Sequence, residues 1–189
     1  MAPNLGRGLV AGLLVVSAPA EAGTARWNRE IAEAARRFSI PAEWIARVMQ
    51  AESDGRTRVE GKPITSTAGA MGLMQLMPAT WDEIRLRYQL GGDPHDPRDN
   101  IMAGAAYLKQ MYDRFGYPGL FAAYHAGPRA YARHLERGSP LPPETRRYLS
   151  RVLGRDEVTE VGAKARRNRK NGAIPRASSP IFVKLMGQR

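Results

Sequence analysis

The 189-residue sequence contains no cysteine, and its three histidines are widely separated. The absence of cysteine excludes disulfide bonds, thiolate nucleophiles and cysteine-based zinc sites. His95, His125 and His134 have no metal-ligand spacing to one another or to nearby carboxylates, so we expect neither a metal nor another cofactor. The sequence also lacks the G-x-S-x-G motif of serine hydrolases and a glycine-rich phosphate loop. These absences leave few of the common catalytic sites open.

Alternating apolar and polar residues, which would predict β-strands, are also almost absent. Apolar residues instead recur at helical spacing, for example over 31–38 and most clearly over 101–115. Only the polar stretch 56–67 suits a small hairpin. We therefore predict a mainly α-helical domain with at most one small β-hairpin after residue 52.

The charge is strongly basic and unevenly distributed along the chain. The formal net charge is +11, and residues 155–189 contribute six of these charges through nine Lys or Arg and three acids. We expect this segment to be a basic, flexible tail. A basic surface favours an anionic partner, such as nucleic acid, a membrane surface or an acidic cell wall.

Residues 1–22 have the pattern of a signal peptide. Arg7 supplies the positive charge, residues 8–16 form a short apolar run, and alanines at 18, 20 and 22 give two patterns that resemble a cleavage site. The apolar run is too short to span a bilayer comfortably. We therefore expect an exported protein of the periplasm or cell envelope, with its folded domain between this segment and the tail.

One carboxylate interrupts an apolar stripe on the second predicted helix. Ile45, Val48 and Met49 form the stripe, and the next position on that face is Glu52, just before an Asp-Gly pair. Burial disfavours the charged form of a carboxyl group, and so does the negative end of the helix dipole. A carboxyl that stays protonated near neutral pH suits general-acid catalysis. The alternative is a glutamate that simply reaches solvent at the helix end.

Short motifs in a fixed order carry a family resemblance. They are AES at 51–53, STAGAMGLMQLMP at 66–78, NIMAGAAYL at 100–108, AYHAGP at 123–128 and PETRRYL at 143–149. Together they resemble the catalytic domain of the soluble lytic transglycosylases, lysozyme-like enzymes of bacterial cell walls. The resemblance covers residues 27–153 and implies a helical, lysozyme-like domain with a substrate cleft.

The resemblance implies a role for each matching position. Glu52 would be the only catalytic acid/base, cleaving the bond between N-acetylmuramic acid and N-acetylglucosamine with formation of a 1,6-anhydro product. Eight further residues would contact the glycan or complete the site: Ser66, Gln75, Met77, Tyr107, Tyr124, His125, Glu144 and Tyr148. Each tyrosine also fits a core aromatic at helical spacing, so position along the chain does not separate the two roles.

Within the second motif, alternate residues are expected to face two ways. Leu73 and Leu76 are predicted to join the core, whereas Gln75 and Met77 are implied to face the cleft. Gly69 and Gly72 are expected to allow a close backbone approach, and Pro78 to start the next helix.

Two departures from the family pattern stand out. The family usually has asparagine where this chain has His125, so we expect a pH dependence near the ordinary histidine pKa of about 6.5. The segment 53–65 is longer than in the common pattern and is expected to form a β-excursion at one end of the cleft.

Three other functions remain open from the sequence. The first is a lysozyme-type hydrolase that uses water as the nucleophile. The second is a wall-remodelling or wall-binding component of a secretion or conjugation apparatus, docked through the basic tail. The third, a nucleic-acid binder, rests on that tail alone. We expect a monomer that acts on peptidoglycan glycan strands and does not bind nucleic acid.

Overall fold

The computed structural model describes residues 23–153. The predicted signal peptide 1–22 and the basic tail 155–189 lie outside these residues. The described part holds a 3₁₀ turn, seven α-helices and one antiparallel strand pair. In chain order the elements are the turn Gly23–Trp27, α1 (Asn28–Phe38), α2 (Ala42–Ser53), β1 (Arg58–Val59), β2 (Lys62–Pro63), α3 (Pro78–Tyr88), α4 (Pro97–Phe115), α5 (Gly119–Ala126), α6 (Pro128–Arg137) and α7 (Pro143–Val152). The predicted mainly helical class is therefore confirmed.

Helix α4 is the centre of the fold. Ten of its 19 residues are buried, including the periodic apolar positions Ile101, Ala105 and Leu108. Helices α1, α3 and α5 pack around it, and α2 also contacts it. A Cβ atom at Gly104 would lie 2.5 Å from the Cβ of Met74, so this glycine lets the loop before α3 approach the central helix.

Helix α2 carries Glu52 to the surface of this core. Its predicted stripe is confirmed, since Ile45, Val48 and Met49 are fully buried. The helix ends where Asp54 adopts the left-handed conformation, with a φ of 56°. The indole Nε1 of Trp27 donates a hydrogen bond of 2.9 Å to the carbonyl of Gly55 just beyond, and so anchors the end of α2 to the N-terminal turn.

The predicted hairpin follows α2 directly and is confirmed. Arg58 pairs with Pro63 and Val59 pairs with Lys62, with both strands exposed. Each strand is two residues long, so the hairpin adds little to the core and leaves the domain essentially helical. Among residues 23–153, no helix has both the length and the apolarity needed to cross a lipid bilayer.

Candidate active site

A cavity of about 410 Å³ opens between the end of α2, the loop 66–77 and the end of α5. Glu52 lines it. So do six of the eight residues that the sequence implied as substrate-binding: Ser66, Gln75, Met77, Tyr107, Tyr124 and His125. Glu144 and Tyr148 do not line the cavity. The fold thus gathers residues from four separate motifs around one carboxyl group.

The Glu52 carboxyl is held near its protonation midpoint at neutral pH. Burial raises its pKa from the ordinary carboxyl value to about 7, although the nearby Tyr148 hydroxyl and the Arg151 guanidinium both oppose this rise. It is the only carboxylate among the described residues that line the cavity. A carboxyl with this pKa can donate a proton and then take one back in the same working pH range.

No metal-binding arrangement accompanies this carboxyl. In the part of the chain that the structure describes, no three histidine, aspartate or glutamate side chains lie close enough together to hold a metal ion.

The loop 66–77 folds back on itself and presents alternate residues to the core and to the cavity. Met71 forms isolated β-bridges with Thr65 and Leu76. Leu73 and Leu76 are buried, as predicted. The Met77 side chain is 47% exposed and lines the cavity. This loop is therefore one wall of the cleft.

Two side chains of this wall also bond within the loop. The Gln75 amide donates a hydrogen bond of 2.9 Å to the Gly72 carbonyl, so one of its donors is already committed. The Ser66 hydroxyl accepts a hydrogen bond of 3.0 Å from the Ala70 N–H and closes the turn at Gly69. Both residues line the cavity, and both also hold the shape of its wall.

Asn100 fixes the same loop from α4. Its amide oxygen accepts a hydrogen bond of 2.7 Å from the Met74 N–H, and its amide nitrogen donates to the carbonyls of Met71 and Pro94 at 3.1 and 2.8 Å. A Cβ atom at Gly72 would lie 2.3 Å from this nitrogen. The close approach predicted for Gly72 is confirmed, whereas a Cβ at Gly69 would meet nothing within 4 Å.

The sequence showed Asn100 only as the first residue of the motif at 100–108, and its function as a loop anchor was missed. The residue is fully buried inside α4, which begins three residues earlier at Pro97. An asparagine on the apolar face of an amphipathic run was the available signal, because a buried amide needs partners.

Ser53 was missed as well. Its hydroxyl is buried and donates a hydrogen bond of 2.8 Å to the Leu73 carbonyl. This bond joins the end of helix α2, which carries Glu52, directly to the cleft wall. A second polar residue directly after Glu52, still within the helix, was the sequence signal that could have identified it.

Tyr124 is both a core aromatic and part of the cavity wall. It is buried, and its hydroxyl donates a hydrogen bond of 2.8 Å to the Met74 carbonyl. Its ring lies 5.1 Å from the ring of Tyr107. Burial raises the pKa of both tyrosines, so both stay neutral at working pH. Tyr124 therefore belongs to the core and also lines the cavity.

Helix α7 supports Glu52 from behind the cavity wall. Tyr148 is fully buried, and its hydroxyl lies near the Glu52 carboxyl without the full geometry of a hydrogen bond. The His125 ring stacks on Tyr148 with 4.4 Å between ring centroids, and its Nδ1 lies 3.2 Å from the Thr145 hydroxyl. Glu144 is exposed in the first turn of α7 and is close enough to raise the pKa of His125.

The His125 pKa corrects one expectation. Burial lowers it below the ordinary value, and Arg151 lowers it further, more than Glu144 raises it. The pH dependence expected near 6.5 therefore moves to lower pH.

Arg151 is a further residue that sequence reasoning missed. It lies one turn beyond Tyr148 on α7, with its guanidinium carbon 6.0 Å from the centroid of that ring. Its charge lowers the pKa of both Glu52 and His125. The sequence signal that could have identified Arg151 is its spacing. It follows Tyr148 by three residues, and Tyr148 follows Glu144 by four, so all three side chains lie on one face of the helix.

Comparison with known proteins agrees with this architecture. The family model described as the transglycosylase SLT domain matches residues 29–141. A transglycosylase of Enterobacteria phage PRD1 is 38% identical over 106 residues, which cover 56% of this chain and 36% of that protein. The soluble lytic murein transglycosylase of Escherichia coli K12 is 31% identical over 135 residues, covering 62% of this chain and 20% of that protein.

A solved structure shares the fold. The X-ray structure of the lytic transglycosylase Slt from Pseudomonas aeruginosa superposes with a TM-score of 0.54 at 24% identity, covering 79% of this chain and 25% of that one. The expected lysozyme-like helical fold is confirmed by this likeness. The chain spans 36% of the phage relative and 20% of the Escherichia coli relative, so the similarity concerns only part of each of these proteins.

Proposed function

The chain belongs to the transglycosylase SLT domain family, whose model matches more than half of it, and on that premise we propose that it is a peptidoglycan lytic transglycosylase. The proposed reaction is cleavage of the bond between N-acetylmuramic acid and N-acetylglucosamine, with formation of a 1,6-anhydro end. The observation that carries the proposal is a single carboxyl, Glu52, with a pKa of about 7 in a cleft of about 410 Å³.

Glu52 acts first as the general acid. Its carboxyl protonates the oxygen that links the two sugars, and the bond from that oxygen to the anomeric carbon of the muramic sugar breaks. Positive charge develops at this carbon, and the neighbouring N-acetyl group of the same sugar stabilises it. The raised pKa supports this step, because about half of the carboxyls hold the required proton at neutral pH.

Glu52 acts next as the general base. Its carboxylate takes the proton of the C6 hydroxyl of the same sugar, and the freed oxygen bonds to the anomeric carbon. The 1,6-anhydro ring closes, the carboxyl regains its proton, and no water is consumed. An internal hydroxyl held beside the reacting carbon has a large effective concentration, which favours ring closure over attack by water.

The lining of the cavity supports an internal nucleophile over hydrolysis. Most glycosidases that use water or a covalent intermediate carry a second carboxylate about 5 to 9.5 Å from the acid. Within residues 23–153, the cavity that Glu52 lines contains no other carboxylate. This lining supports a substrate that supplies the second reacting group itself.

The surrounding residues are proposed to bind and orient the glycan. Met77 offers an exposed apolar surface for a sugar face, and Gln75 and Ser66 offer polar atoms beside it. Tyr107 and Tyr124 line the same cavity, and burial raises the pKa of both hydroxyls, so they are proposed to meet the glycan as neutral groups.

Residues near α7 are proposed to set the orientation of Glu52 and the polarity around it. Tyr148 places its hydroxyl near the carboxyl, and His125 stacks on that ring and also lines the cavity. Glu144 is exposed and does not line the cavity, so it is proposed to contact a part of the substrate that lies outside the cavity.

Product analysis on purified peptidoglycan tests the function. Mass spectrometry should find 1,6-anhydromuramic ends after digestion with the wild-type domain. Glu52→Gln should reduce cleavage by at least about 10³-fold while sacculus binding persists, because the amide keeps the shape but cannot transfer the proton. Glu136→Gln removes a carboxylate from the exposed face of α6 and serves as the matched control, with full activity.

Two outcomes would count against this proposal. Reducing muramic ends in the products would favour the lysozyme-type hydrolase. Unchanged cleavage by Glu52→Gln would remove Glu52 from the chemistry altogether.

Export to the periplasm or cell envelope is part of the same proposal. Its support is the signal-like pattern of residues 1–22, together with a basic charge balance that suits the acidic cell wall. N-terminal sequencing of protein recovered from the periplasm should give a mature start near residue 21 to 23. Recovery of the full chain, beginning at Met1, from the cytoplasm would contradict export.

A further inference from the structure

The N-terminal 3₁₀ turn packs against the end of the helix that carries Glu52. The carbonyl of Gly55, just beyond α2, accepts hydrogen bonds from the Arg26 guanidinium and from the Trp27 indole. A Cβ atom at Gly55 would lie 2.5 Å from the Gly23 carbonyl oxygen, so a side chain there would collide with the turn. The position of Gly23 is therefore tied to the end of α2.

Two side chains at the end of α2 place acceptor oxygens near Gly23. A Cβ atom at Gly23 would lie 3.5 Å from Oε1 of Gln50 and 4.0 Å from Oδ1 of Asp54. The backbone nitrogen of Gly23 is bonded to the same Cα atom and lies about 2.5 Å from that Cβ position. This nitrogen is thus close to both a carboxylate and an amide oxygen.

The electrostatics at the end of α2 favour a cation. The carbonyl groups at a helix C-terminus carry partial negative charge, and the exposed carboxylate of Asp54, the cap residue, adds a full one. Asp54 accepts a hydrogen bond from the neutral Gln50 amide, and none of the ion pairs within residues 23–153 uses it. A positive charge placed at Gly23 would meet this carboxylate.

The sequence directly before Gly23 matches a processing site. Ala20 and Ala22 have the A-x-A spacing of small residues that precedes the bond cut by a signal peptidase. Hydrolysis breaks the C–N bond between Ala22 and Gly23, adds the hydroxyl of water to the Ala22 carbonyl carbon, and leaves an amine on Gly23. An α-amine has an ordinary pKa of about 7.7–8.0, so it takes up a further proton and is an ammonium group at pH 7.

We propose that a signal peptidase cuts between Ala22 and Gly23, and that the new ammonium group of Gly23 binds Asp54 and Gln50. The ammonium group has three donors and a full charge, whereas the nitrogen of the uncut chain has one donor and no charge. Processing therefore adds an ion pair to the end of the helix that carries Glu52. The inference rests on the proposed export, because only an exported chain meets a signal peptidase.

The cleavage site is tested on protein recovered from the periplasm. Intact mass and N-terminal sequencing should give a chain that begins at Gly23. A chain that begins at Glu21, cut after the other alanine pattern at 18–20, would overturn the inference while leaving export and the proposed reaction standing.

Amine reactivity tests the ion pair without relying on export. The chain from Gly23 to Arg189 is released from a fusion protein by a protease that leaves Gly23 first. Limiting acetic anhydride at pH 7.5 acetylates only the uncharged amine, and mass spectrometry of the peptide 23–26 gives the modified fraction. Pairing holds the proton on the amine, so labelling should be about threefold slower than in Asp54→Asn, the size expected for one exposed ion pair.

Matched variants assign this effect to Asp54. Asparagine also adopts the left-handed conformation of a helix cap, so Asp54→Asn keeps the end of α2 and removes the charge. Glu60→Gln removes a carboxylate from the exposed hairpin turn and should label as slowly as wild type. Equal labelling of wild type and Asp54→Asn would overturn the ion pair, whatever the products of peptidoglycan cleavage are.

The pH dependence of unfolding gives a second measurement on the same two chains. Pairing raises the pKa of the ammonium group in the folded state, so its contribution to stability is lost as pH rises through that pKa. The chain has no cysteine, so no thiol titrates in the same range. The unfolding temperature of wild type, relative to Asp54→Asn, should fall by about 1–2 °C between pH 7 and about pH 9.5. A constant difference over this range would contradict the ion pair.

Discussion

The Ser53 hydroxyl donates a hydrogen bond of 2.8 Å to the Leu73 carbonyl, and this bond connects helix α2, which carries Glu52, to the loop 66–77 that forms one wall of the cleft. Ser53 is 2% exposed and Leu73 is 1% exposed, so water does not compete for either atom. Because Ser53 directly follows Glu52, the bond sets the position of the carboxyl relative to Gln75 and Met77.

Ser53→Ala should weaken both the fold and the reaction. The Leu73 carbonyl would stay buried without its donor, which lowers the free energy of unfolding by about 2 kcal/mol. We expect kcat to fall by about tenfold with little change in KM, since Glu52 is displaced from the scissile bond rather than the glycan from the cleft. Urea unfolding and steady-state kinetics measure both effects.

Ser150→Ala, which removes an exposed hydroxyl on α7, should change stability by less than about 0.5 kcal/mol. Equal losses in the two variants would disprove a special role for Ser53.

Gly72→Ala should destabilise the protein much more than Gly69→Ala. Both glycines have a positive φ, of 74° and 87°, so each alanine carries a backbone cost of about 1–2 kcal/mol. Only at Gly72 does the new methyl group also collide, 2.3 Å from the Asn100 amide nitrogen that anchors the cleft loop. We expect thermal unfolding to show a loss at Gly72 at least twice that at Gly69. A larger loss at Gly69 would contradict the close packing described for this loop.

The contribution of Glu52 to the stability of the wild-type protein should fall as pH rises from about 4.5 to about 7. The Glu52 pKa is raised to about 7 in the folded state, so the folded state binds more protons than the unfolded chain in that window. Glu52→Gln removes this pH dependence and should be more stable than wild type by about 2 kcal/mol at pH 8. This gain is smaller than the full pKa shift of Glu52 implies, because the carboxyl is partly open to the cleft. At pH 4 the two proteins should be nearly equal. Denaturant titrations at both pH values measure the difference, and an equal gain at pH 4 would refute the pKa assignment.

His125→Asn should abolish an acid limb in the pH profile of kcat/KM. Burial and then Arg151 lower the His125 pKa, so the neutral ring persists below pH 6.5 and becomes charged only at lower pH. Protonation of His125 then places a second positive charge beside Arg151. It also makes both ring nitrogens hydrogen-bond donors, including the Nδ1 that lies beside the Thr145 hydroxyl, while the ring stays stacked on Tyr148.

The stability of the protein should follow the same titration of His125. At His125 the folded state binds fewer protons than the unfolded chain in this window, so the contribution of His125 to stability, read as the difference between wild type and His125→Asn, should rise as pH rises through it. His134→Asn alters a histidine outside the cavity that Glu52 lines and is the control for the activity profile. Identical profiles for wild type and His125→Asn would show that the histidine does not control the acid limb.

Several features of the fold were predictable because they depend on local sequence. The stripe of Ile45, Val48 and Met49 predicted both a buried helix face and the anomaly at Glu52, since helical periodicity places every third or fourth residue on one side. Pro78 correctly marked the start of α3, because its fixed φ suits a first helical turn.

The anchors of the site were not predictable in the same way. Asn100 bonds to Met71, Met74 and Pro94, and two of these partners lie more than 25 residues away along the chain. Ser53 is joined to Leu73 across 20 residues. Spacing within a segment carries no information about such partners, because they meet only when separate helices pack.

The sequence by itself determined that this protein is helical, that Glu52 stands on an apolar face, and which family its motifs resemble. Only the tertiary structure decided that Glu52 is enclosed with Gln75, Met77 and Tyr124, and that its pKa is raised to about 7. It also decided that Gly23 lies near Gln50 and Asp54 at the end of α2. The physical reason is that desolvation and enclosure depend on the packing of several helices around one point, whereas periodicity is a property of a single segment.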